Sequence, residues 1–120
     1  MKIAVTAQEA NVEAEVDPRF GRAKWFAIFD DQTKEFSYIA NEQNLQAQQG
    51  AGVQAAQLVA RQGAKAVITG HCGPKAFRAL KAAEIEIFLG AEATVREVLE
   101  QFSQGKLTAS ARPDVSGHWA

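Results

Sequence analysis

The sequence is short of cysteine: Cys72 stands alone among 120 residues. A disulfide within the chain is therefore excluded, and so is a zinc site built from several cysteines of one chain. Apolar stretches are also short, and none approaches the roughly 20 residues that a membrane-spanning helix needs. The N-terminal segment turns polar at Gln8 and Glu9, which is too early for a signal peptide. These absences predict a cytoplasmic protein that does not cross a membrane.

An excess of charge of one sign is lacking as well. Lys and Arg total 13 and Asp and Glu total 14, which gives a formal net charge of −1. Proteins that bind nucleic acid over a broad surface usually have a strongly basic balance, so a nucleic-acid partner is not expected. The composition, 47% hydrophobic and 22% charged, is typical of a folded globular protein, and the length fits one domain.

Familiar enzyme motifs are missing. The chain has no G-x-S-x-G, no phosphate-binding P-loop, no H-E-x-x-H and no C-x-x-C. Asp30 and Asp31 lie in a short polar gap between two predicted strands, not in a carboxylate cluster that could hold paired magnesium ions. The chain is therefore not predicted to be an enzyme, and a small hydrolase or nuclease is the weakest of the functional hypotheses.

The hydrophobic periodicity predicts five strands and three helices. Short apolar or alternating stretches indicate the strands, and apolar residues three or four apart indicate the helices. Thr94 and Glu97 have the spacing of a capping box, which predicts the start of the last helix. The predicted strands span 2–7, 24–29, 35–40, 64–69 and 85–89, and the predicted helices run through 53–60, 74–82 and 94–102.

This order of elements predicts an α/β fold with one five-stranded mixed sheet and three helices. The gap 30–34 suits an antiparallel hairpin, whereas the later alternation of strand and helix requires parallel strands with right-handed crossovers. Ligands of such sheets usually bind beyond the carboxyl ends of the parallel strands. We predict a single domain over 1–107 and a flexible C-terminal tail over 108–120, with His118 and Trp119 at its frayed end.

The motif with the clearest chemistry is Gly70-His71-Cys72-Gly73-Pro74, which joins the fourth predicted strand to the second predicted helix. Its glycines let backbone approach a ligand, and the helix N-terminus offers N–H groups and the positive end of a dipole. A thiol in that place is expected to have a lowered pKa and to bind soft metals together with the neighbouring imidazole. The alternative is a buried structural cysteine beside a solvated histidine.

A second motif is the segment 17–23, which lies between the first two predicted strands. Arg19 and Arg22 flank Phe20 and Gly21 there. Guanidinium groups pair well with multiply charged anions, and an exposed phenylalanine could cover an apolar face of a ligand. The alternative is a structural turn in which an aspartate pairs with an arginine.

A third segment, Gly50-Ala51-Gly52, precedes the first predicted helix and resembles a phosphate-binding loop only in part. The full G-x-G-x-x-G pattern would need glycine at the position of Ala55, and no strand comes immediately before it. A flexible helix entry is the alternative.

Together these motifs resemble the dinitrogenase iron-molybdenum cofactor-binding family over residues 1–107. That family includes NifX-type nitrogenase accessory proteins, orange-protein-like members and stand-alone proteins, and it implies a ribonuclease-H-like fold. The segments that carry the resemblance, in the family's order, are 1–5, 17–23, Asn41, Gly50 with Gly52, 67–80 and 85–98.

The resemblance implies a binding or carrier protein for a metal–sulfur cluster, either the iron-molybdenum cofactor or its precursor, or a Mo–Cu or Fe–S cluster. Such a role belongs to cofactor biosynthesis, storage or delivery, with cofactor-assembly or cluster-accepting proteins as partners. A role in nitrogen fixation stays open, and a monomer or weak homodimer is expected. The residues expected to bind the cofactor are Arg19, Phe20, Gly21, Arg22, Asn41, Gly70 and Gly73, and the expected metal ligands are His71 and Cys72.

The chain departs from the family at one position. Many members have histidine where this sequence has Arg19, and an arginine side chain cannot ligate a metal. Either the cluster is held electrostatically, or His71 and Cys72 supply the ligands. The alternative from another functional class is a metal-free regulatory or scaffold module that binds a protein partner or a small anion.

Overall fold

The computed structural model describes residues 1–43 and 45–114. These residues form one sheet in the order β3-β2-β1-β4-β5. Strand β1 is antiparallel to β2 and parallel to β4, β2 is antiparallel to β3, and β4 is parallel to β5. The predicted α/β fold with a five-stranded mixed sheet and three helices is therefore confirmed. The elements are β1 (Lys2–Ala7), β2 (Trp25–Asp30), β3 (Glu35–Ala40), α1 (Ala51–Arg61), β4 (Ala64–Ile68), α2 (Pro74–Ala82), β5 (Glu86–Phe88) and α3 (Val95–Ser103).

Helices cover both faces of the sheet. Side chains alternate between the two faces along each strand, so each face has side chains on which helices can pack. In β1, Ala4 belongs to the core under α1 and α2, whereas Ile3 and Val5 belong to the core under α3. Phe77 of α2 and Val98 of α3 are buried in these two cores. The apolar sides of the helices thus pack on the two faces of the sheet, and the fold has three layers.

The strand directions determine where a ligand can be approached by loops. Strands β1, β3, β4 and β5 all end at the same edge of the sheet, which we call the carboxyl edge. Helices α1 and α2 follow β3 and β4, so both begin there. The segments 8–24, 41–43, 45–50 and 69–73 therefore meet at the edge where the sequence predicted a ligand.

The three helices begin in two different ways. Thr94 and Glu97 form the predicted capping box of α3, in which each side chain accepts a hydrogen bond from the backbone N–H of the other residue. Helices α1 and α2 begin instead at Gly50 and Gly73, without a side-chain cap and without an acidic residue in the first turn. Among the described residues, the N-cap residue of neither helix therefore accepts a hydrogen bond through its side chain, and Pro74, the first residue of α2, has no N–H.

Part of the segment predicted as a tail packs on the sheet. Ala109 forms an antiparallel bridge with Phe88, and the Ser110 N–H donates to the Ile87 carbonyl (2.8 Å). Asp114 reaches the turn that follows β4. His118 and Trp119 lie outside the described residues. Within the ranges 1–43 and 45–114, no helix is long and apolar enough to cross a membrane.

Candidate functional site

The two motifs singled out in the sequence lie side by side at the carboxyl edge. Arg19 and His71 form a parallel β-bridge. The Phe20 N–H donates to the His71 carbonyl (3.1 Å), and the His71 N–H donates to the Pro18 carbonyl (2.7 Å). The loop 17–24 and the turn 70–74 are thus joined through backbone, which places the Arg19 side chain next to the imidazole-bearing turn.

Gly70 is a glycine because of this contact. A Cβ at this position would lie 2.7 Å from the Pro18 carbonyl oxygen and 2.8 Å from the Pro18 Cα. The sequence predicted that Gly70 lets backbone approach a ligand; in the structure it lets the turn approach the loop. The close approach belongs to the architecture that holds the site together.

Asp17 fixes the shape of the loop. Its buried carboxylate accepts hydrogen bonds from the backbone N–H groups of Arg19 (3.2 Å) and Lys24 (3.3 Å). Its backbone carbonyl accepts from the hydroxyl of Thr6 (2.8 Å), at the end of β1. The alternative that the sequence left open, in which Asp17 pairs with an arginine side chain, is wrong. The Asp17 carboxylate accepts hydrogen bonds from backbone N–H groups instead.

The arginine side chains therefore keep their charge at the surface. Arg19, Arg22 and Lys24 are exposed, and Lys75 is exposed in the first turn of α2. Within the described part of the chain, neither arginine forms an ion pair with a carboxylate. This edge accordingly combines cationic side chains with two helix N-termini that lack side-chain caps, an arrangement that favours anions.

The expectation that Phe20 covers a ligand is wrong for this structure. Phe20 is 1% exposed and packs on Phe26 in the core under α1 and α2, with 5.6 Å between ring centroids. Phe20 can be buried because the loop turns toward the sheet at this residue, which lies between Arg19 and Arg22 in the chain. Phe20 therefore anchors the loop that presents Arg19 and Arg22.

Asn41 and Gln43 brace the same loop from the other side. The Asn41 side-chain amide donates to the carbonyls of Gly21 (3.2 Å) and Ala23 (2.9 Å). The Gln43 amide lies 2.8 Å from the Gly21 carbonyl and 3.0 Å from the Ala51 carbonyl. Gly21 is buried and meets these amides through its backbone. Gln43 thus ties the loop to the start of α1, a role that no sequence feature indicated in a segment rich in glutamine.

The Cys72 thiol is buried, and the expectation of a lowered pKa is wrong. Its side chain is 1% exposed within the core under α1 and α2, and Sγ lies 3.6 Å from the Gly73 carbonyl. Burial, together with the negative charge of Asp114, raises the pKa of Cys72 to about 12. The structure matches the alternative of a buried structural cysteine, and ligation by this thiol stays a prediction that requires it to leave the core.

We expect the native Cys72 thiol to react with iodoacetamide more slowly, by a factor of at least about 100, than the same thiol in the urea-unfolded protein near pH 8. An ordinary cysteine has a pKa of about 8.5, so unfolding restores both the thiolate and access to it. Mass spectrometry of timed, quenched samples measures the two rates. Equal rates in native and unfolded protein would contradict the buried thiol.

His71 is held by an acid that the sequence did not identify. The Nδ1 atom lies 2.9 Å from Asp114 Oδ2, and the backbone N–H of Cys72 donates to Asp114 Oδ1 (3.0 Å). The side chains of His71 and Asp114 are 42% and 33% exposed. Among the residues that the structure describes, no group of three or more His, Cys, Asp and Glu could hold a metal ion.

Comparison with known proteins gives a consistent set of relatives. The family model described as dinitrogenase iron-molybdenum cofactor matches residues 1–105. The apo form of the orange protein from Desulfovibrio gigas is 41% identical, with a TM-score of 0.90, and the match covers 95% of this chain and 96% of that one. A candidate NifB protein from Thermotoga, placed in the DUF35 family, is 25% identical over 97% of this chain and 98% of its own, with a TM-score of 0.81. An uncharacterized protein of Methanocaldococcus jannaschii is 29% identical over 112 residues, 89% of each chain.

Proposed function

The chain belongs to the dinitrogenase iron-molybdenum cofactor family, and from that membership and its cationic carboxyl edge we propose that it binds and carries a preassembled metal–sulfur cluster as cargo. The cargo would be the iron-molybdenum cofactor or a precursor, or a Mo–Cu or Fe–S cluster. The role would lie in cofactor biosynthesis, storage or delivery, and the protein would be a carrier, not an enzyme. The similarity to the apo orange protein supports cluster binding of this kind.

The observation that carries the proposal is that, among the described residues, the two guanidinium groups of the loop beside His71 form no ion pair with a carboxylate. Metal–sulfur clusters of this class are anions whose sulfur atoms accept hydrogen bonds. Arg19 and Arg22 supply guanidinium donors without a carboxylate partner in the described residues. The uncapped starts of α1 and α2 add backbone N–H groups and the positive ends of two helix dipoles at the same edge.

The donor set favours holding a finished cluster over assembling one. His71 is the only candidate ligand of the turn 70–74 with a partly exposed side chain, because Cys72 is buried. A cluster held mainly by charge and hydrogen bonds can leave again, which a carrier requires. In this proposal Arg19 and Arg22 neutralise the cargo, His71 offers the imidazole, and Gly73 leaves the start of α2 without a side-chain cap. Gly21, Asn41 and Phe20 hold the loop in place.

The same proposal extends to the architecture, the partners and the location of the protein. The strand order and directions are compatible with the ribonuclease-H-like architecture that the family resemblance implied. Cofactor-assembly or cluster-accepting proteins would be the partners, the protein would act in the cytoplasm as a monomer or weak homodimer, and nucleic acid would not be a partner.

Anaerobic loading tests the proposal. The protein is analysed for Mo, Cu and Fe as isolated, then after incubation with tetrathiomolybdate and Cu(I), or with ferrous iron and sulfide, followed by gel filtration. We expect stoichiometric metal and a visible charge-transfer band that elute with the protein. The same mixtures without protein give the background. Absence of metal and of the band under all conditions would contradict cluster carriage and would favour the metal-free module.

A further inference from the structure

Residues 108–114, which we call the strap, run from the edge of the sheet to the candidate site. The strap is attached to β5 through the bridge between Ala109 and Phe88 and through the hydrogen bond from the Ser110 N–H to the Ile87 carbonyl. At its other end lies Asp114. The strap therefore delivers a carboxylate to the turn 70–74 from a distant part of the chain.

The Asp114 carboxylate sits as a bound anion would sit. One oxygen accepts from the Cys72 N–H (3.0 Å), and the other lies 2.9 Å from the His71 Nδ1. The same turn is bridged to Arg19 by backbone pairing. An anionic cargo that used the imidazole and the N–H groups of this turn would meet a negative charge already in place, and like charges at such short range repel.

We propose that the strap is an internal competitor for the cargo site: an incoming anionic cluster displaces the Asp114 carboxylate from the turn, and the carboxylate returns when the cluster leaves. This inference rests on the proposed function. Both side chains are partly exposed, so their contact is weak enough to be displaced. The return of a tethered carboxylate is intramolecular and needs no partner to close the site.

The tests are anaerobic titrations of tetrathiomolybdate into the full-length wild type and three variants. Asp114→Ala removes the competing carboxylate, and Asp114→Asn keeps an acceptor for the Cys72 N–H but removes the charge. Glu92→Gln is the matched control, because Glu92 is an exposed acid in the segment after β5. We expect Asp114→Ala to bind about five- to tenfold more tightly than wild type, and Asp114→Asn to fall between them. Glu92→Gln should stay within about twofold of wild type.

Hydrogen exchange supplies a second measurement, because a change of charge alone does not alter amide exchange rates in the strap. In the wild type, addition of tetrathiomolybdate should speed exchange at the Ser110 amide, since displacement of Asp114 loosens the strap from β5. Unchanged exchange at saturating tetrathiomolybdate would overturn the strap mechanism.

The measured tetrathiomolybdate affinities distinguish a failure of the strap proposal from a failure of the proposed function. Equal affinity of Asp114→Ala and Glu92→Gln would overturn the strap while leaving the proposed function intact. Weaker binding by Asp114→Ala would also overturn it, because Asp114 would then position His71 for the cargo. Absence of binding by wild type and by every variant would overturn both the proposed function and the strap.

Discussion

Replacement of Arg19 and Arg22 together by alanine is expected to weaken tetrathiomolybdate binding by about thirtyfold in low-salt buffer. Each guanidinium offers a charge-assisted hydrogen bond to the anion, and the two contacts together are worth about 2 kcal/mol after discounting for their exposure to solvent. The protein should keep its thermal stability, because both side chains are exposed and neither forms an ion pair in the described residues. Anaerobic titration followed by absorbance measures the affinity.

The matched control is the double variant Arg61→Ala/Arg78→Ala. It removes the same charge from exposed helix positions, at the end of α1 and within α2. Its affinity should stay within about threefold of wild type, since screening reduces effects from distant exposed charges. The deficit of the loop variant should shrink as salt rises toward about 1 M, where the Debye length falls to about 3 Å. Equal losses in the two double variants would contradict a site at the loop.

Gly70→Ala is expected to lower the free energy of unfolding by about 2–4 kcal/mol. The added Cβ would lie 2.7 Å from the Pro18 carbonyl oxygen and 2.8 Å from the Pro18 Cα, and these are backbone atoms that cannot rotate away. The clash falls on the pairing that joins the loop 17–24 to the turn 70–74. The loop must shift, so tetrathiomolybdate binding should weaken as well.

Gly50→Ala provides the comparison for that stability measurement. A Cβ at Gly50 meets nothing within 4 Å, and the residue has extended backbone at the start of α1. This substitution should cost less than about 1 kcal/mol, the size of a lost preference at a helix cap. Urea denaturation of both variants gives the two values. A Gly70→Ala protein as stable as Gly50→Ala would show that the loop and the turn are not tightly joined.

The fold could be predicted from the sequence because its determinants are local. The capping box of Thr94 and Glu97 marks the last helix, and the polar gap 30–34 separates two strands that form the expected hairpin. In strands such as β1, successive side chains point to opposite faces of the sheet and so belong to different cores. These features depend on residues close in sequence, so periodicity and turn chemistry suffice to predict them.

The candidate site was predictable only in outline. The sequence indicated that the loop 17–23 and the turn 70–74 carry its chemistry, and the structure joins them. It could not decide between exposure and burial for Phe20 and Cys72, because the burial of one side chain depends on how the loop folds back. Gln43 and Asp114 were missed for a related reason. Their partners lie 22 and 42 residues away, at Gly21 and Cys72, and no local pattern encodes such contacts.

Amide chemical-shift mapping by NMR shows whether a metal–sulfur anion binds at the carboxyl edge. The protein is labelled with ¹⁵N and titrated anaerobically with tetrathiomolybdate and Cu(I). We predict that the largest shifts fall in the segments 19–24, 50–53 and 70–75 and at Asp114, which surround that edge. Shifts confined to the opposite edge or to α3, or no shifts at saturating concentrations, would contradict binding at the carboxyl edge.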